Sequence, residues 1–300
     1  MPDSTSSRTN TEWPGPLVSA EWLREHLGDE RLIVLDIRSA ESGGCAAFEV
    51  GHVPGAVHSD YAADGWRVAK GGAGGLLPEP DFLAGLFGQL GVTLGHHVVI
   101  LSAGSTIGDF SPAARVYWTF KVAGHARVSI LDGGYAAWTA AGGKVEKGAP
   151  ARADAPLYPV RIDHGLRAQL SDVEQALARK EATLLDGRSR AQFEGLDKSA
   201  QAARAGRLPG AVHLDVSRAF DPGTARLRPS RELDELFSAI PAGPVVSYCN
   251  TGQLASTNWF ILSEILKRPD VSLYDGSMSE WTQDPGHAVE VGRSNDEKSS

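Results

Sequence analysis

Apolar residues fall along this chain in short unbroken runs, each closed by an aspartate or a polar loop. Residues 32–36 (LIVLD), 97–101 (HVVIL) and 128–131 (VSIL) make one set, and 183–186 (TLLD), 244–248 (PVVSY) and 271–274 (VSLY) make another. Runs without alternation predict parallel strands covered on both faces. Between them the spacing becomes helical. Ser19 is placed to cap a helix through Leu27. Ser171-Asp172-Val173-Glu174 reads as a capping box opening a helix to Arg179. Pro112 lies near the start of a helix through Val122, where its missing N–H costs nothing. Helical spacing returns over residues 257–266. Strands alternating with helices predict α/β domains, each a mostly parallel sheet with helices on both faces.

The two sets of runs are copies of one another. Residues 33–38 (IVLDIR) match 184–188 (LLDGR), and GHVPGAVH at 51–58 matches GRLPGAVH at 206–213. VVIL at 98–101 matches VVSY at 245–248, VSILDG at 128–133 matches VSLYDG at 271–276, and Trp138 matches Trp281. The offset drifts from 150 to 155, then 147, then 143, so insertions fall in loops between shared elements. The chain is therefore a duplication. The first domain spans residues 13–145 and the second 167–291. An Ala- and Pro-rich linker at 146–166 joins them.

Composition changes this picture little. At 300 residues with 42% hydrophobic side chains, two ordinary cores can form. A formal net charge of −8 argues against nucleic acid or an anionic membrane as partner, while leaving room for a small anionic substrate in a local positive field. No run approaches the length of a membrane span. With only Cys45 and Cys249, and no secretory signal visible at the N-terminus, a cytoplasmic location is expected. The segment before Trp13 and the tail 292–300 read as disordered.

In open parallel sheets, sites lie beyond the carboxyl ends of strands. The two equivalent loops differ there. The first begins Ser102-Ala103-Gly104; the second reads Cys249-Asn250-Thr251-Gly252-Gln253-Leu254-Ala255. A cysteine at a strand tip, before a glycine-containing loop and a helix, is surrounded by unpaired amides. These favour thiolate over thiol and would cradle an anion on the sulfur. The alternative is a small buried hydrophobe. A catalytic thiol also requires an opening to solvent rather than deep apolar packing. Arg188 follows a strand-end aspartate, so it either faces the cleft and binds an anion or pairs with Asp186. His58 and His213, like Trp138 and Trp281, occupy equivalent places in both halves, which favours structural roles. Trp259 reads as core. Residues 71–75 (GGAGG) lack the Gly-Lys-Ser/Thr of a P-loop and read as a flexible loop.

The Asp-x-Arg after the first strand, Gly-His-Val-Pro-Gly-Ala, the cysteine loop, and Leu-Asp-Gly-Gly-Tyr-x-x-Trp with its partner Tyr-Asp-Gly-Ser-Met-x-x-Trp together resemble the tandem-domain rhodaneses, the thiosulfate and 3-mercaptopyruvate sulfurtransferases. The resemblance covers roughly residues 19–291. It implies two rhodanese-like domains, of which the first lacks the cysteine. It also implies catalysis by Cys249: the thiolate takes sulfur from a small anionic donor, becomes a persulfide, and passes the sulfur to cyanide or a thiol. Amides from Asn250 to Ala255 would stabilise charge in both steps. No cofactor or metal is implied.

Substrate choice stays open. Mercaptopyruvate enzymes often read Cys-Gly-Ser-Gly, and thiosulfate enzymes often carry a basic residue in the loop; this loop has neither. Thr251, a neutral hydroxyl, tilts the expectation to thiosulfate. The family's second arginine falls on Gln192, and Arg190 is placed to substitute. Asp60 matches a substrate-facing aspartate of the mercaptopyruvate branch, or is a solvated loop carboxylate. A cysteine phosphatase would need arginine six residues after the cysteine, where Ala255 stands. A non-catalytic regulatory module and a sulfur carrier serving one protein acceptor are the other readings.

Overall fold

The structure, a computed structural model, describes residues 14–149 and 156–293. The expected disorder before Trp13, and that of the tail beyond Arg293, lies outside the described residues. Gly292, assigned to that tail, is instead held in place: its N–H donates to the Glu194 carbonyl and its own carbonyl accepts from Arg207, each at 2.7 Å.

The first domain contributes strands β1 (Leu17–Val18), β2 (Leu32–Asp36), β3 (Val57–His58), β4 (Val68–Lys70), β5 (Ala73–Leu76), β6 (His97–Leu101) and β7 (Val128–Leu131). The second contributes β8 (Arg167–Ala168), β9 (Thr183–Asp186), β10 (Val212–His213), β11 (Val245–Tyr248) and β12 (Val271–Tyr274). Strands β1-β7-β6-β2-β3 form one sheet, and β8-β12-β11-β9-β10 form the other in the same spatial order. Every pairing within these two sheets is parallel. The central strands β6 and β11 are buried along their whole length, which is why their apolar residues do not alternate.

A charged clasp is repeated in both copies. Asp36 sits at the end of β2 and grips Arg38, whose Nε and Nη2 lie 3.0 and 2.7 Å from its oxygens; Nη2 also donates to the Gly51 carbonyl at 2.9 Å. In the second copy Arg188 binds Asp186 at 2.9 and 2.6 Å and the Gly206 carbonyl at 2.8 Å. The histidines close each clasp, His58 Nε2 on the Arg38 carbonyl and His213 Nε2 on that of Arg188, both at 2.8 Å. Trp138 and Trp281 are likewise equivalent. Each indole is buried and donates to a carbonyl, of Lys144 and Ala288 respectively.

Helix Phe110–Val122, which follows β6, packs against the equivalent helix Gln253–Trp259, which follows β11. Ser111 Oγ and Thr257 Oγ1 lie 3.0 Å apart across this contact, and Phe260 meets Phe110 and Tyr117 edge-on. Residues of both domains, among them Trp118, Phe120, Trp259 and Phe260, thus form a single continuous core. Tyr158, from the linker, also enters it and hydrogen-bonds His125 at 2.9 Å.

Three local expectations need correction. The helix expected to open at Ser171 spans Leu170–Arg179 and is capped by Gln169, paired with Asp172. This register turns Val173 and Ala176 to the core and leaves Ser171 in the first turn. The helix expected over 257–266 begins earlier, at Gln253, and its second half, Phe260–Ile265, is a π-helix. The glycine-rich stretch 71–75 is not a flexible loop. It turns and forms an antiparallel hairpin, β4 with β5, laid on the second domain. Gly74 exchanges hydrogen bonds with Ser279 Oγ at 3.2 and 2.8 Å, and the Leu77 N–H donates to Asp275 at 2.6 Å. Gly75 has φ +87°, and a Cβ there would collide with the Thr251 carbonyl, so close approach explains the glycine.

A core shared by both domains predicts joint unfolding. Urea denaturation followed by fluorescence and circular dichroism is expected to give one coincident transition. Phe260→Ala is expected to lower stability by about 3–5 kcal/mol without splitting that transition. Two separated transitions in the unsubstituted protein would contradict the shared core.

Candidate active site

Cys249 is the first residue beyond β11, and the start of the next β-strand's loop fixes it there. Its N–H donates to Ser277 Oγ at 3.0 Å, and its carbonyl accepts from the Met278 N–H at 3.2 Å. The Asn250 carbonyl accepts from the Ser279 N–H at 2.9 Å. Ser277 stands where the first copy has Gly134, and both take a positive φ, +50° and +57°. A non-glycine residue in that conformation is strained by about 1 kcal/mol. The Ser277 hydroxyl offsets the strain by joining the Cys249 N–H to the Tyr274 carbonyl, at 2.7 Å.

The loop that follows leaves its donors open. Among the described residues, none of the N–H groups of Asn250, Thr251, Gly252, Gln253, Leu254 and Ala255 has a hydrogen-bond partner. Four of them, from Gly252 to Ala255, belong to the cap and first turn of helix Gln253–Trp259, where N–H groups lack intrahelical partners and point toward any anion beside the loop. In the first domain two amides of the equivalent loop are satisfied from within. There the Asp109 carboxylate accepts from the N–H groups of Ser105 and Thr106 at 2.7 and 2.9 Å.

The first domain closes over the cysteine loop at three points. The hairpin presses Gly75 against Thr251. The Tyr61 hydroxyl donates to Gln253 Oε1 at 3.1 Å, and burial pushes that phenol up to about 12. Arg115 reaches Gly252 from helix Phe110–Val122. A Cβ added to Gly252, whose φ is +73°, would lie 2.5 Å from Arg115 Nη1 and 2.8 Å from the Asp275 backbone. Arg115 is fully buried; its Nη2 donates to the Gly75 carbonyl at 2.7 Å and lies 3.8 Å from Asp275, while Nε and Nη1 have no partner. Burial pulls its guanidinium below the ordinary value, and the Asp275 carboxylate opposes that. A guanidinium is thus held behind a loop that has no charged side chain.

The expected opening at the sulfur is not present. Cys249 is 1% exposed and is itself part of the shared hydrophobic core, with the half-buried Asn250, Gln253 and Leu254 in the loop that follows it.

Three expected substrate contacts have partners within the protein, and of these Arg188 lies near enough to Cys249 for their charges to interact. Arg188 is taken up by Asp186. Burial works against its charge, but the hydrogen bonds and charge of Asp186 outweigh this and hold it above the ordinary arginine value. Because Arg38 makes the same clasp in the domain without a thiol, the ion pair belongs to the architecture. Arg190 opens the short helix Arg190–Phe193 and lies 3.8 Å from Glu194. The residue that reaches the loop is Gln192, whose Oε1 accepts from Asn250 Nδ2 at 2.9 Å. Asp60 caps a turn, accepting from the N–H groups of Ala62 and Ala63 at 2.8 and 3.1 Å, while its neighbour Tyr61 makes the contact with the loop.

Sequence reasoning therefore missed Tyr61, Arg115 and Ser277, and named Gln192 only as the residue standing at the family's second arginine position. Arg115 had a signal: a lone cation in the otherwise apolar stretch FSPAARVYWTF. Ser277 had one too, as a serine replacing the glycine of the first copy.

A sequence model of the rhodanese-like domain matches residues 19–141 and again residues 169–284. The chain belongs to the rhodanese-like domain family. This rhodanese-like protein is 33% identical over 299 residues to the thiosulfate sulfurtransferase of Corynebacterium glutamicum, covering 93% of this chain and 91% of that one. It is 32% identical to the sulfur carrier protein TtuD of Thermus thermophilus, covering 89% and 94%. It is 28% identical to the 3-mercaptopyruvate sulfurtransferase of Escherichia coli, covering 91% and 95%. Among solved structures, YnjE superposes with a TM-score of 0.81 at 23% identity over 95% of this chain and 70% of that one, which shows the shared fold.

Gly252→Ala tests the loop geometry. The added methyl meets Arg115 and Asp275 in a backbone conformation that disfavours it. The expected result is a loss of about 1–3 kcal/mol in stability and a rate of sulfur uptake at least roughly tenfold lower. Wild-type melting together with wild-type uptake would show that the loop tolerates a side chain there.

Proposed function

We propose that this protein is a sulfurtransferase that carries sulfur on Cys249 as a persulfide, with thiosulfate as donor. The observation that carries the reading is the row of six unpaired amides, Asn250 to Ala255, following a thiol at a strand tip. Relatives named thiosulfate sulfurtransferase, 3-mercaptopyruvate sulfurtransferase and sulfur carrier all align with nearly the whole chain, which supports the reaction class.

In the first half-reaction the Cys249 thiolate attacks the sulfane sulfur of thiosulfate. A new S–S bond forms to Cys249, the old S–S bond breaks, and its electron pair leaves on sulfite. The negative charge moves from the thiolate to the outer sulfur of the persulfide, where the open amides stabilise it without reorganising. In the second half-reaction cyanide or a thiolate attacks that outer sulfur. The Cys249–S bond breaks and its electrons return to the Cys249 thiolate. Thiocyanate or a new persulfide departs, and no cofactor enters the balance. Splitting the transfer into two displacements is covalent catalysis. Because the sulfur is covered, donor entry requires the hairpin, Tyr61 and the loop to part.

The second reading, a mercaptopyruvate donor, draws on the Escherichia coli relative. The hydrogen-bonding hydroxyl of Thr251 and the absence of a Cys-Gly-Ser-Gly loop favour thiosulfate. A reducing cytoplasm fits the two free cysteines, Cys45 and Cys249.

Intact mass spectrometry tests both. After incubation with thiosulfate the chain is expected to gain about one sulfur atom, lost again on adding cyanide. Cys249→Ser and Cys249→Ala are expected to gain none. Sulfur uptake surviving in either variant would remove Cys249 from the mechanism. Uptake from mercaptopyruvate but not thiosulfate would reverse the choice of donor.

A further inference from the structure

The cysteine loop, residues 249–255, contains no charged side chain, yet either donor is an anion. The cations already described are committed: Arg188 to Asp186, Arg190 beside Glu194, and Arg115 to the Gly75 carbonyl and Asp275. Arg67 differs from all of them. Its guanidinium carbon lies 4.6 Å from the centre of the Tyr61 ring, and among the described residues it makes no ion pair and no hydrogen bond. Its Nε is buried and has no partner. The ring beneath it is the one whose hydroxyl donates to Gln253 of the cysteine loop.

The position of Arg67 is also fixed from both sides. Trp66 is fully buried, and its indole N–H donates to Ser59 Oγ at 2.9 Å. Val68 begins the hairpin that lies on Thr251. A half-buried guanidinium held over an aromatic ring, with a buried Nε that lacks a partner, keeps donors free for a visiting anion. Its planar fork matches the two oxygens of a sulfonate or carboxylate.

We propose that Arg67, stacked on Tyr61, binds the anionic end of the sulfur donor: the sulfonate of thiosulfate or, should that be the donor, the carboxylate of mercaptopyruvate. The inference rests on the sulfurtransferase reading and adds a recognition residue supplied by the domain that has no thiol. The electrostatic neighbourhood agrees with it, since the charges of Arg67, Arg115 and Cys249 all bear on the Tyr61 hydroxyl. Tyr61 therefore serves two neighbours, holding the loop by its hydroxyl and the guanidinium by its face.

Calorimetric titration of Cys249→Ser with thiosulfate, and separately with mercaptopyruvate, measures anion binding without turnover. Adding Arg67→Ala is expected to weaken binding of the true donor roughly tenfold or more, and Arg67→Lys to recover only part of it. With Cys249 intact, stopped-flow loading by the donor is expected to need at least tenfold more donor in Arg67→Ala. Discharge of the persulfide by dithiothreitol, which is uncharged, is expected to change far less. Equal affinity with and without Arg67, failure of both anions to bind Cys249→Ser, or an equal loss in loading and discharge would each overturn the proposal. If the unsubstituted chain takes sulfur from neither donor, the sulfurtransferase reading falls with it. If it loads sulfur but Arg67→Ala loads at the same donor concentration, only the role of Arg67 falls.

Discussion

A row of backbone donors with nothing to bond is unstable in isolation, and much of this molecule serves to hold such a row in place. Six N–H groups from Asn250 to Ala255 stay unpaired because their carbonyls and flanks are pinned from outside. Ser277 and the turn after β12 fix the start of the loop. Gln192 fixes Asn250, Tyr61 fixes Gln253, and Gly75 and Arg115 bracket Thr251 and Gly252. Left to relax, the loop would turn to satisfy its own amides, as the loop of the first domain does with Asp109. In the proposed mechanism, charge stabilisation at the sulfur depends on that relaxation being blocked.

Half of the blocking comes from the first domain. Its hairpin, its Tyr61 and its Arg115 act on the second domain's loop through an interface built like a protein interior. This explains why a domain with serine in the cysteine's place keeps an intact fold. Its sheet order, its Asp36–Arg38 clasp and its buried Trp138 repeat those of the second copy. What has diverged is the surface that meets the thiol.

Much of this was legible in the sequence, and what was not has a physical reason. Unbroken apolar runs gave the long strands nearly residue for residue, since full burial on both faces leaves a plain pattern. The repeat predicted the equivalence of the two cysteine-position loops. Contacts across the duplication were invisible, because nothing local in GGAGG or in Tyr61 says which distant carbonyl or side chain it meets. Arg188 and Asp60 were ambiguous for a related reason. A charged residue beside a strand end reads the same whether its partner is a substrate or the nearest turn. Only the identical clasp at Arg38 separates the two cases.

The carboxylate of Asp109 has one more effect. By accepting from two amides of the first domain's loop it supplies an internal anion there, where the cysteine loop has no charged side chain of its own. Only the second copy carries a thiol at this place, and the other copy of the scaffold adds walls around it.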